Sequence, residues 1–292
     1  MTVLDVRDSS PVGTSGAAPG ATRKRRARST GALGGAATLG LGVSLTWFSL
    51  LVLIPLSAVV ITAAGGGWSE FWATVTSPQT AAAIRLTVAQ SALVTAINVV
   101  MGTALAWVLV RDRFWGKRGL DVVIDVPFAL PTIVAGLVLL SLYGPQSPLG
   151  VNVANTRTAV FLALAFVTLP FVVRTTQPVL EALERDVEEA AASLGASRLT
   201  TFRRVILPSL APAITAGAAL SFARGISEYG SLVLLSGNLP NRTEVASVRV
   251  LTYLENGNQA AAASVAAILL VVALAVIVGL DLIQRRVARR GA

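Results

Sequence analysis

The sequence predicts an all-α membrane protein with six transmembrane helices. Of its 292 residues, 54% are hydrophobic and 13% are charged, whereas a soluble domain carries about 25% charged residues. Its apolar runs are long enough to cross a hydrocarbon core, which takes about 20 residues. The net charge is +9, and the basic residues flank the apolar runs. This pattern indicates membrane topology rather than nucleic-acid binding.

The composition also excludes several kinds of chemistry. The chain contains no cysteine and no histidine, which excludes thiolate catalysis, disulfides, imidazole bases and His/Cys metal sites. It lacks the Gly-x-x-x-x-Gly-Lys-Ser/Thr loop that cradles phosphates. Asp121 and Asp125 are the nearest approach to a carboxylate pair, and we interpret them as helix-end charges. We therefore expect no catalytic, cofactor-binding or metal-ligating residues, and an energy-coupled role needs a separate ATPase.

Residues 1–36 are predicted to form a disordered, basic, cytoplasmic tail. They are rich in Ser, Gly, Ala and Pro, a composition typical of disorder. The cluster Arg23-Lys24-Arg25-Arg26-Ala27-Arg28 lies just before an apolar run. Such a cluster suits nucleic acid or anionic lipid, but this position favours a simple cytoplasmic anchor. For the chain as a whole we expect contact with membrane lipid and none with nucleic acid.

Residues 37–80 are predicted to comprise the first transmembrane helix and an outer loop. The apolar run covers about residues 39–63, which is longer than the apolar region of a cleavable signal peptide. Pro55 is expected to kink it. Trp68 and Trp72 in the loop are typical of the membrane interface.

Residues 81–285 are predicted to form the core, with five further spans, and residues 286–292 a cytoplasmic tail. Pro127 and Pro131 predict a break or kink in the third span. Basic clusters fall in both tails, after the second span and after the fourth. These four segments share one side of a six-span protein, so both termini are predicted to be cytoplasmic. The five core spans are predicted at about 84–110, 122–143, 157–173, 207–235 and 260–282.

The polar segment 178–208 lies between the fourth and fifth spans. Pro178 suits the first turn of a helix, and the alanine run that follows has high helix propensity. Gly195 fits a left-handed C-cap. Ser197 is expected to cap a second short helix over residues 198–205.

This segment resembles the cytoplasmic EAA loop of ABC-importer permeases. The match consists of Glu189-Ala190-Ala191, then Gly195, then Val205 and Leu207-Pro208. The resemblance implies a coupling helix that seats in a groove of an ATPase subunit. We expect Glu188 and Glu189 to meet basic groups on the ATPase, or Arg203 and Arg204. The implied coupling residues are Glu188, Glu189, Ala190, Ala191, Gly195, Leu207 and Pro208.

The resemblance extends over roughly residues 40–285, and it is stronger to the T type than to the W type of sulfate/thiosulfate permease subunits. It is carried by Leu130-Pro131-Thr132-Ile133-Val134-Ala135-Gly136, Phe222-Ala223-Arg224 and Glu228-Tyr229-Gly230-Ser231. Ser227 stands where the family pattern has Gly. The resemblance implies the type I ABC importer permease fold. It also implies a second permease subunit, two ATPase copies that hold ATP and Mg²⁺, and an extracytoplasmic sulfate-binding protein. A different second permease subunit is favoured, and an identical one stays open.

Arg224 and Glu228 place two charges one helical turn apart in the fifth apolar region. A charge near the bilayer centre costs about 2.5–3.5 kcal/mol, and their i,i+4 spacing allows pairing. Either the pair is structural, or Arg224 lines a path for the anion with hydroxyl groups as co-ligands. The candidate hydroxyl residues are Thr132, Ser221, Ser227 and Ser231.

The predicted function is therefore that of a sulfate/thiosulfate permease subunit in a cell membrane. Two alternatives stay open. A molybdate or tungstate permease makes similar demands on a site, and a stand-alone secondary anion transporter predicts an inverted internal repeat. Arg85 and Arg157 lie near the outer ends of two spans. Either residue is able to attract anions there, but snorkelling is the commoner arrangement.

Overall fold

The computed structural model describes residues 35–290, so most of the predicted N-terminal tail, including Arg23 to Arg28, and the last two residues lie outside the described residues. The chain divides into two compact units, residues 1–50 and 51–292. The described part of the first unit begins with helix α1, Gly35–Phe48. A π-helical turn, Ser49–Leu53, follows it in the sequence. The remaining helices are α2 Ile54–Gly65, α3 Gly67–Thr76, α4 Pro78–Arg111, α5 Lys117–Ala129, α6 Thr132–Tyr143, α7 Arg157–Ala182, α8 Arg185–Ser193, α9 Arg198–Thr201, α10 Leu207–Ile226, α11 Gly230–Leu235, α12 Ala246–Glu255 and α13 Gln259–Arg290.

Five helical segments in the described part are long and apolar enough to cross a membrane. A sixth crossing requires that α5 and α6 count together as one span. The all-α fold and the five to six spans agree with the prediction from composition. The five continuous segments are Leu39–Gly65, Pro78–Arg111, Arg157–Ala182, Arg198–Ile226 and Gln259–Arg286.

The segment after α2 is helical, although it was predicted as a loop. Helix α3 carries the interface aromatics, and the rings of Trp68 and Phe71 stack with their centroids 5.5 Å apart. Trp72 meets both rings edge-on. The mutual contact of the three rings gives this segment an apolar cluster of its own, which favours the helix over a loop.

Helices α4, α7 and α10 pack together at the centre of the second unit. Small residues allow the close approach: a Cβ atom on Gly102 would lie 2.8 Å from the Cβ of Val172. The buried Asn98 side chain donates hydrogen bonds to Thr168 Oγ1 at 2.8 Å and to Ser221 Oγ at 3.4 Å. Asn98 therefore joins the three central helices, and Ser221, predicted as a candidate anion ligand, is engaged in this contact.

The predicted third span is broken rather than kinked. Helices α5 and α6 meet at Leu130 and Pro131 with a bend of 118°. Leu130 has an extended backbone, as sterics favour for a residue before proline. Pro127 lies inside α5 without interrupting it. Helix α6 then packs against α11, and α5 packs against α7.

The predicted fifth span differs from the structure at both ends. Ser197 caps α9, because its Oγ accepts a hydrogen bond from Thr200 N at 3.3 Å, as predicted. However, α9 continues through the π-helical turn Phe202–Ile206 into α10, so no separate second helix exists. Each π turn precedes a proline, Pro55 or Pro208, and proline cannot donate the N–H that the regular α-helical ladder needs. At the far end, α10 stops at Ile226 and the short α11 follows.

Candidate coupling and anion-path sites

The helix that was predicted to couple to an ATPase corresponds to α8. Pro178 does not begin it, because α7 continues through Pro178 to Ala182. Instead, Glu184 occupies the N-cap in extended conformation, and Asp186 lies in the first turn. An acidic side chain in the first turn is stabilised by the positive end of the helix dipole.

The C-terminus of α8 is closed by a tight hydrogen-bonded turn. Gly195 adopts φ +81°, the left-handed conformation that favours glycine. Its N–H donates to Ala192 O at 2.9 Å, and Ala196 N–H donates to Ala191 O at 3.0 Å. This pair of bonds is the Schellman arrangement, and the predicted left-handed cap at Gly195 is confirmed.

Arg111, the last residue of α4, ties the coupling helix to the bundle. One of its terminal nitrogens lies 2.6 Å from Glu188 Oε1 and donates to Leu183 O at 3.0 Å. Glu188 therefore meets Arg111 rather than Arg203 or Arg204, and its contact with basic groups of an ATPase stays a prediction. The side chains of Arg111 and Glu188 are only 10% and 27% exposed, so the contact is shielded from much of the solvent. Sequence analysis assigned Arg111 only to the topology signal, because a contact between residues this far apart leaves no local pattern.

Residues 185–201 comprise α8, the turn after it and α9, and this segment is named the coupling elbow after its predicted role. The base of the coupling elbow is apolar. Leu180, Ile206 and Leu210 are buried, and the Trp107 and Phe202 rings meet edge-on at 5.8 Å. The apolar base joins the ends of α4 and α7 to the start of α10. It thereby holds the segments on either side of α8 against the central helices.

The outer surface of the elbow combines small, acidic and exposed apolar residues. Glu189 and Ala190 are exposed and Ala191 is partly exposed. Leu194 and Leu199 are 89% and 61% exposed, and sequence analysis did not single them out. Exposed apolar side chains grouped on a short polar segment are typical of a protein contact surface. Leu207 and Pro208 are also exposed, at the start of α10.

The candidate anion-path residues gather at the break between α10 and α11. The Glu228 side chain is fully buried and lies 2.8 Å from a terminal nitrogen of Arg224, which is 32% exposed. Glu228 Oε1 accepts hydrogen bonds from Ser231 N and Ser231 Oγ, both at 2.9 Å. Its backbone oxygen accepts from Ser247 Oγ at 2.6 Å. Glu228 thus joins the end of α10 to the starts of α11 and α12.

Ser227 and Thr132 have different surroundings. Ser227 is exposed and has φ −86°, a conformation open to any residue, so the departure from the family's Gly costs nothing here. Thr132 begins α6 and lies against Gly230, where a Cβ atom would meet its Oγ1. A Cβ on Gly136 would lie 2.7 Å from Ser231 O. These two glycines allow α6 and α11 to touch. The contact brings Thr132 close to the turn between α10 and α11 that contains Glu228, which is named the α10–α11 corner.

Asp121 and Asp125 are not simple helix-end charges. Both bind Arg174 of α7: Arg174 Nε lies 2.7 Å from Asp125 Oδ1, and a terminal nitrogen lies 2.7 Å from Asp121 Oδ1. Gln177 Oε1 accepts a further bond at 2.7 Å. An arginine inside an apolar span requires a partner, and this was the available signal. The predicted fourth span ended one residue before Arg174 and so missed it.

Comparison with known proteins places this architecture among transport proteins. A family model described as "Binding-protein-dependent transport system inner membrane component" matches residues 98–290. The sulfate transport system permease protein CysT of Salmonella typhimurium is 42% identical over 260 residues, which cover 87% of this chain and 94% of that protein. The CysT protein of Synechocystis is 42% identical over 250 residues, covering 83% and 87%.

Solved structures share the fold at low sequence identity. A chain of a bacterial alginate ABC transporter, crystallised with its alginate-bound periplasmic protein, matches with a TM-score of 0.71 and 17% identity over 86% of this chain and 94% of that one. A chain of the MetNI methionine ABC transporter in an inward-facing conformation matches with a TM-score of 0.53 and 16% identity over 72% and 94%. The helical arrangement is therefore the permease fold of ABC importers, as the sequence predicted.

Proposed function

Because the chain belongs to the family of binding-protein-dependent transport system inner membrane components, we propose that it is the permease subunit of an ATP-driven sulfate/thiosulfate importer. The observation that carries the proposal is the coupling elbow, which presents an exposed contact surface and is held to the bundle by the Arg111–Glu188 ion pair and the apolar base. A stand-alone transporter has no use for such a surface. The relatives named for sulfate transport support the choice of anion.

The proposed coupling step is mechanical. An ATPase subunit receives Glu189, Ala190 and Ala191 in a groove, and the exposed Leu194 adds apolar contact. Closure of the ATPase pair then moves α8, and the Arg111–Glu188 ion pair passes the movement to α4. The capped end at Gly195 keeps the helix from unwinding under load. Leu207 and Pro208 lie where the movement enters α10.

The partners follow from this role. ATP and Mg²⁺ bind on the ATPase subunits, and the role proposed for this chain is non-catalytic. A second, different permease subunit completes the pathway, and an extracytoplasmic binding protein delivers the anion. The working core comprises residues 81–285 with the coupling loop at 178–208, and the first helix is an addition to it.

The proposed orientation places α8 and both termini in the cytoplasm of the cell. Arg113, Lys117 and Arg118 after α4 and Arg203 and Arg204 near α8 all lie at the coupling end of the bundle. Basic residues near span ends are retained on the cytoplasmic side. The aromatic cluster of α3 then lies at the opposite interface.

For Arg224 and Glu228 we favour a structural role in the α10–α11 corner. All hydrogen-bond contacts recorded for the Glu228 carboxylate come from Ser231, and its ion pair is with Arg224. Ser231 is buried and engaged in the same corner, so it is poorly placed to hold an anion. Ser227 and Thr132 keep more exposure and are the better candidates for contacts along the anion path.

The test is uptake by the complete complex reconstituted in liposomes with its ATPase, second permease and binding protein. We expect ATP-dependent accumulation of radiolabelled sulfate that excess thiosulfate inhibits. Preferential uptake of molybdate would replace the proposed substrate. Sulfate accumulation by this chain without any ATPase would contradict the importer class.

A further inference from the structure

A recess lies at the end of the bundle remote from the coupling helix. Its volume is about 400 Å³, and its lining includes Arg85 of α4, Arg157 at the start of α7 and Arg242 in the segment between α11 and α12. Arg85 and Arg111 are 26 residues apart on one helix, which corresponds to about 39 Å. The recess and the coupling elbow therefore lie at opposite ends of α4.

The recess has an excess of positive charge. Glu244 is the carboxylate in its lining, but this side chain is 5% exposed and already engaged. Glu244 Oε2 accepts from Gln79 Nε2 at 2.7 Å, and Oε1 lies 3.9 Å from Arg249. Within residues 35–290, no carboxylate oxygen lies within 4.0 Å of the guanidinium groups of the three lining arginines.

The arginines are held by bonds that leave much of their donor capacity unused. Arg157 Nε donates to Arg242 O at 3.2 Å, and Arg85 Nε donates to Ala81 O at 3.3 Å. Their terminal nitrogens have no recorded hydrogen bond in the described part of the chain. A guanidinium fork matches the oxygen spacing of tetrahedral oxyanions. Gln90 also lines the recess, with a buried side-chain oxygen that lacks a partner among the described residues.

The segment that presents Arg242 is rigid. Thr243 Oγ1 donates to Ser236 O at 2.6 Å, and Leu239 N donates to Thr243 Oγ1 at 3.1 Å. The N–H groups of Arg242, Thr243 and Glu244 all lie 3.0–3.1 Å from Leu239 O. The position of the Arg242 backbone is therefore set before any ligand arrives, which lowers the cost of ordering on binding.

We propose that this recess is a binding site for a small tetrahedral dianion, occupied as the anion passes between the binding protein and the membrane path. The identity of that anion, sulfate, and its delivery by a binding protein rest on the proposed function. A volume of this size suits a small hydrated ligand rather than a protein segment. The arginines are exposed to water, so binding is weak, and a weak site releases the anion onward.

Thiol chemistry offers a direct test, because the natural chain has no cysteine. Ala89 lines the recess and is exposed, so Ala89→Cys places a single thiol there. Gln146→Cys, in the loop before α7, is the matched control at the same end of the bundle. Reaction rates are measured in the assembled complex in lipid nanodiscs with methanethiosulfonate reagents of negative and positive charge.

We expect the preference for the negative reagent to be about fivefold greater at Ala89→Cys than at Gln146→Cys. Millimolar sulfate slows this reaction relative to chloride of equal ionic strength. Adding Arg85→Gln and Arg242→Gln abolishes both effects. The same charge change at the other end of the bundle, Arg113→Gln with Arg118→Gln, leaves them intact.

Two results overturn the proposal. One is that the Ala89→Cys thiol shows no preference for the negative reagent, or shows a preference that sulfate does not reduce. The other is protection by the binding protein alone and not by sulfate, since an acidic protein surface then occupies the recess. ATP-driven uptake by the same complex reconstituted in liposomes separates the two hypotheses. If the complex imports sulfate but sulfate does not protect the thiol from the reagent, the binding site in the recess is refuted and the proposed function stands. If the complex imports only molybdate and molybdate protects the thiol, the proposed substrate is refuted and the binding site stands.

Discussion

Removing the positive charge of Arg224 exposes the energetic role of the α10–α11 corner. Arg224→Gln leaves the buried Glu228 carboxylate with two hydrogen bonds from Ser231 and no cation. Breaking a buried ion pair at one partner costs about 3–5 kcal/mol. Arg224 is one-third exposed, so water screens part of the interaction, and we expect a loss of about 2–3 kcal/mol.

The double variant Arg224→Gln/Glu228→Gln is expected to recover part of this loss. A glutamine oxygen at position 228 still accepts from Ser231, and no buried charge remains unpaired. The net cost is then about that of one hydrogen bond, roughly 1 kcal/mol. A charge swap is a poorer test, because an arginine at position 228 turns its donors toward the donors of Ser231. We expect the swapped variant to remain unstable.

The assay is thermal unfolding of the detergent-purified complex, in which size-exclusion chromatography measures the fraction of folded complex that remains after heating to each temperature. At about 2–4 °C per kcal/mol, Arg224→Gln should lower the midpoint by about 4–12 °C and the double variant by about 2–4 °C. Arg113→Gln, an exposed arginine after α4, is the control and should lie near wild type. A midpoint for Arg224→Gln equal to wild type refutes the structural role. A stable double variant that cannot transport shows instead that Arg224 serves the anion path.

Three further predictions concern the coupling elbow and the α5–α7 contact. Gly195→Val forces a β-branched side chain to φ +81°, so we expect the variant to insert correctly but to lose co-purification with the ATPase. Gly195→Asn should keep this co-purification, because asparagine tolerates the left-handed conformation. Full co-purification of the Val variant would contradict the role of the cap. Arg111→Gln removes the ion pair with Glu188, and we expect ATP hydrolysis to persist while sulfate uptake falls about tenfold. This ratio corresponds to about 1.4 kcal/mol of lost coupling. Uptake that stays in proportion to ATP hydrolysis would argue against the link between α8 and α4. Arg174→Gln removes the bidentate contact with Asp125, and we expect the unfolding midpoint to fall by about 5 °C or more. An unchanged midpoint would show that α5 is held by its apolar contacts alone.

Local signals predicted the parts of the coupling elbow that depend on a few adjacent residues. The left-handed cap at Gly195 and the hydroxyl cap at Ser197 were both expected, because each is formed by hydrogen bonds within a few positions of the chain. Pro178 misled the prediction for the same reason. A proline suits the first turn of a helix, but tertiary packing retains it inside α7, where Leu180 is buried in the apolar base.

The bend between α5 and α6 shows the limit of such signals. Pro131 indicated an interruption, but its magnitude of 118° depends on what packs against α6. Gly136 and Gly230 let α6 lie against α11, and this contact sets the direction of the chain after the proline. A sequence pattern alone does not distinguish a gentle kink from a reversal.

The sequence by itself determined the membrane class, the number of apolar segments to within one, and the position of the coupling elbow. These features depend on hydrophobicity and on short-range hydrogen bonds, both of which are written locally in the chain. Only the tertiary structure decided which charges meet: Arg111 with Glu188, and Arg174 with Asp121 and Asp125. Many pairings of opposite charges are compatible with one sequence, and the packing of the apolar helices selects among them by bringing particular helix ends together.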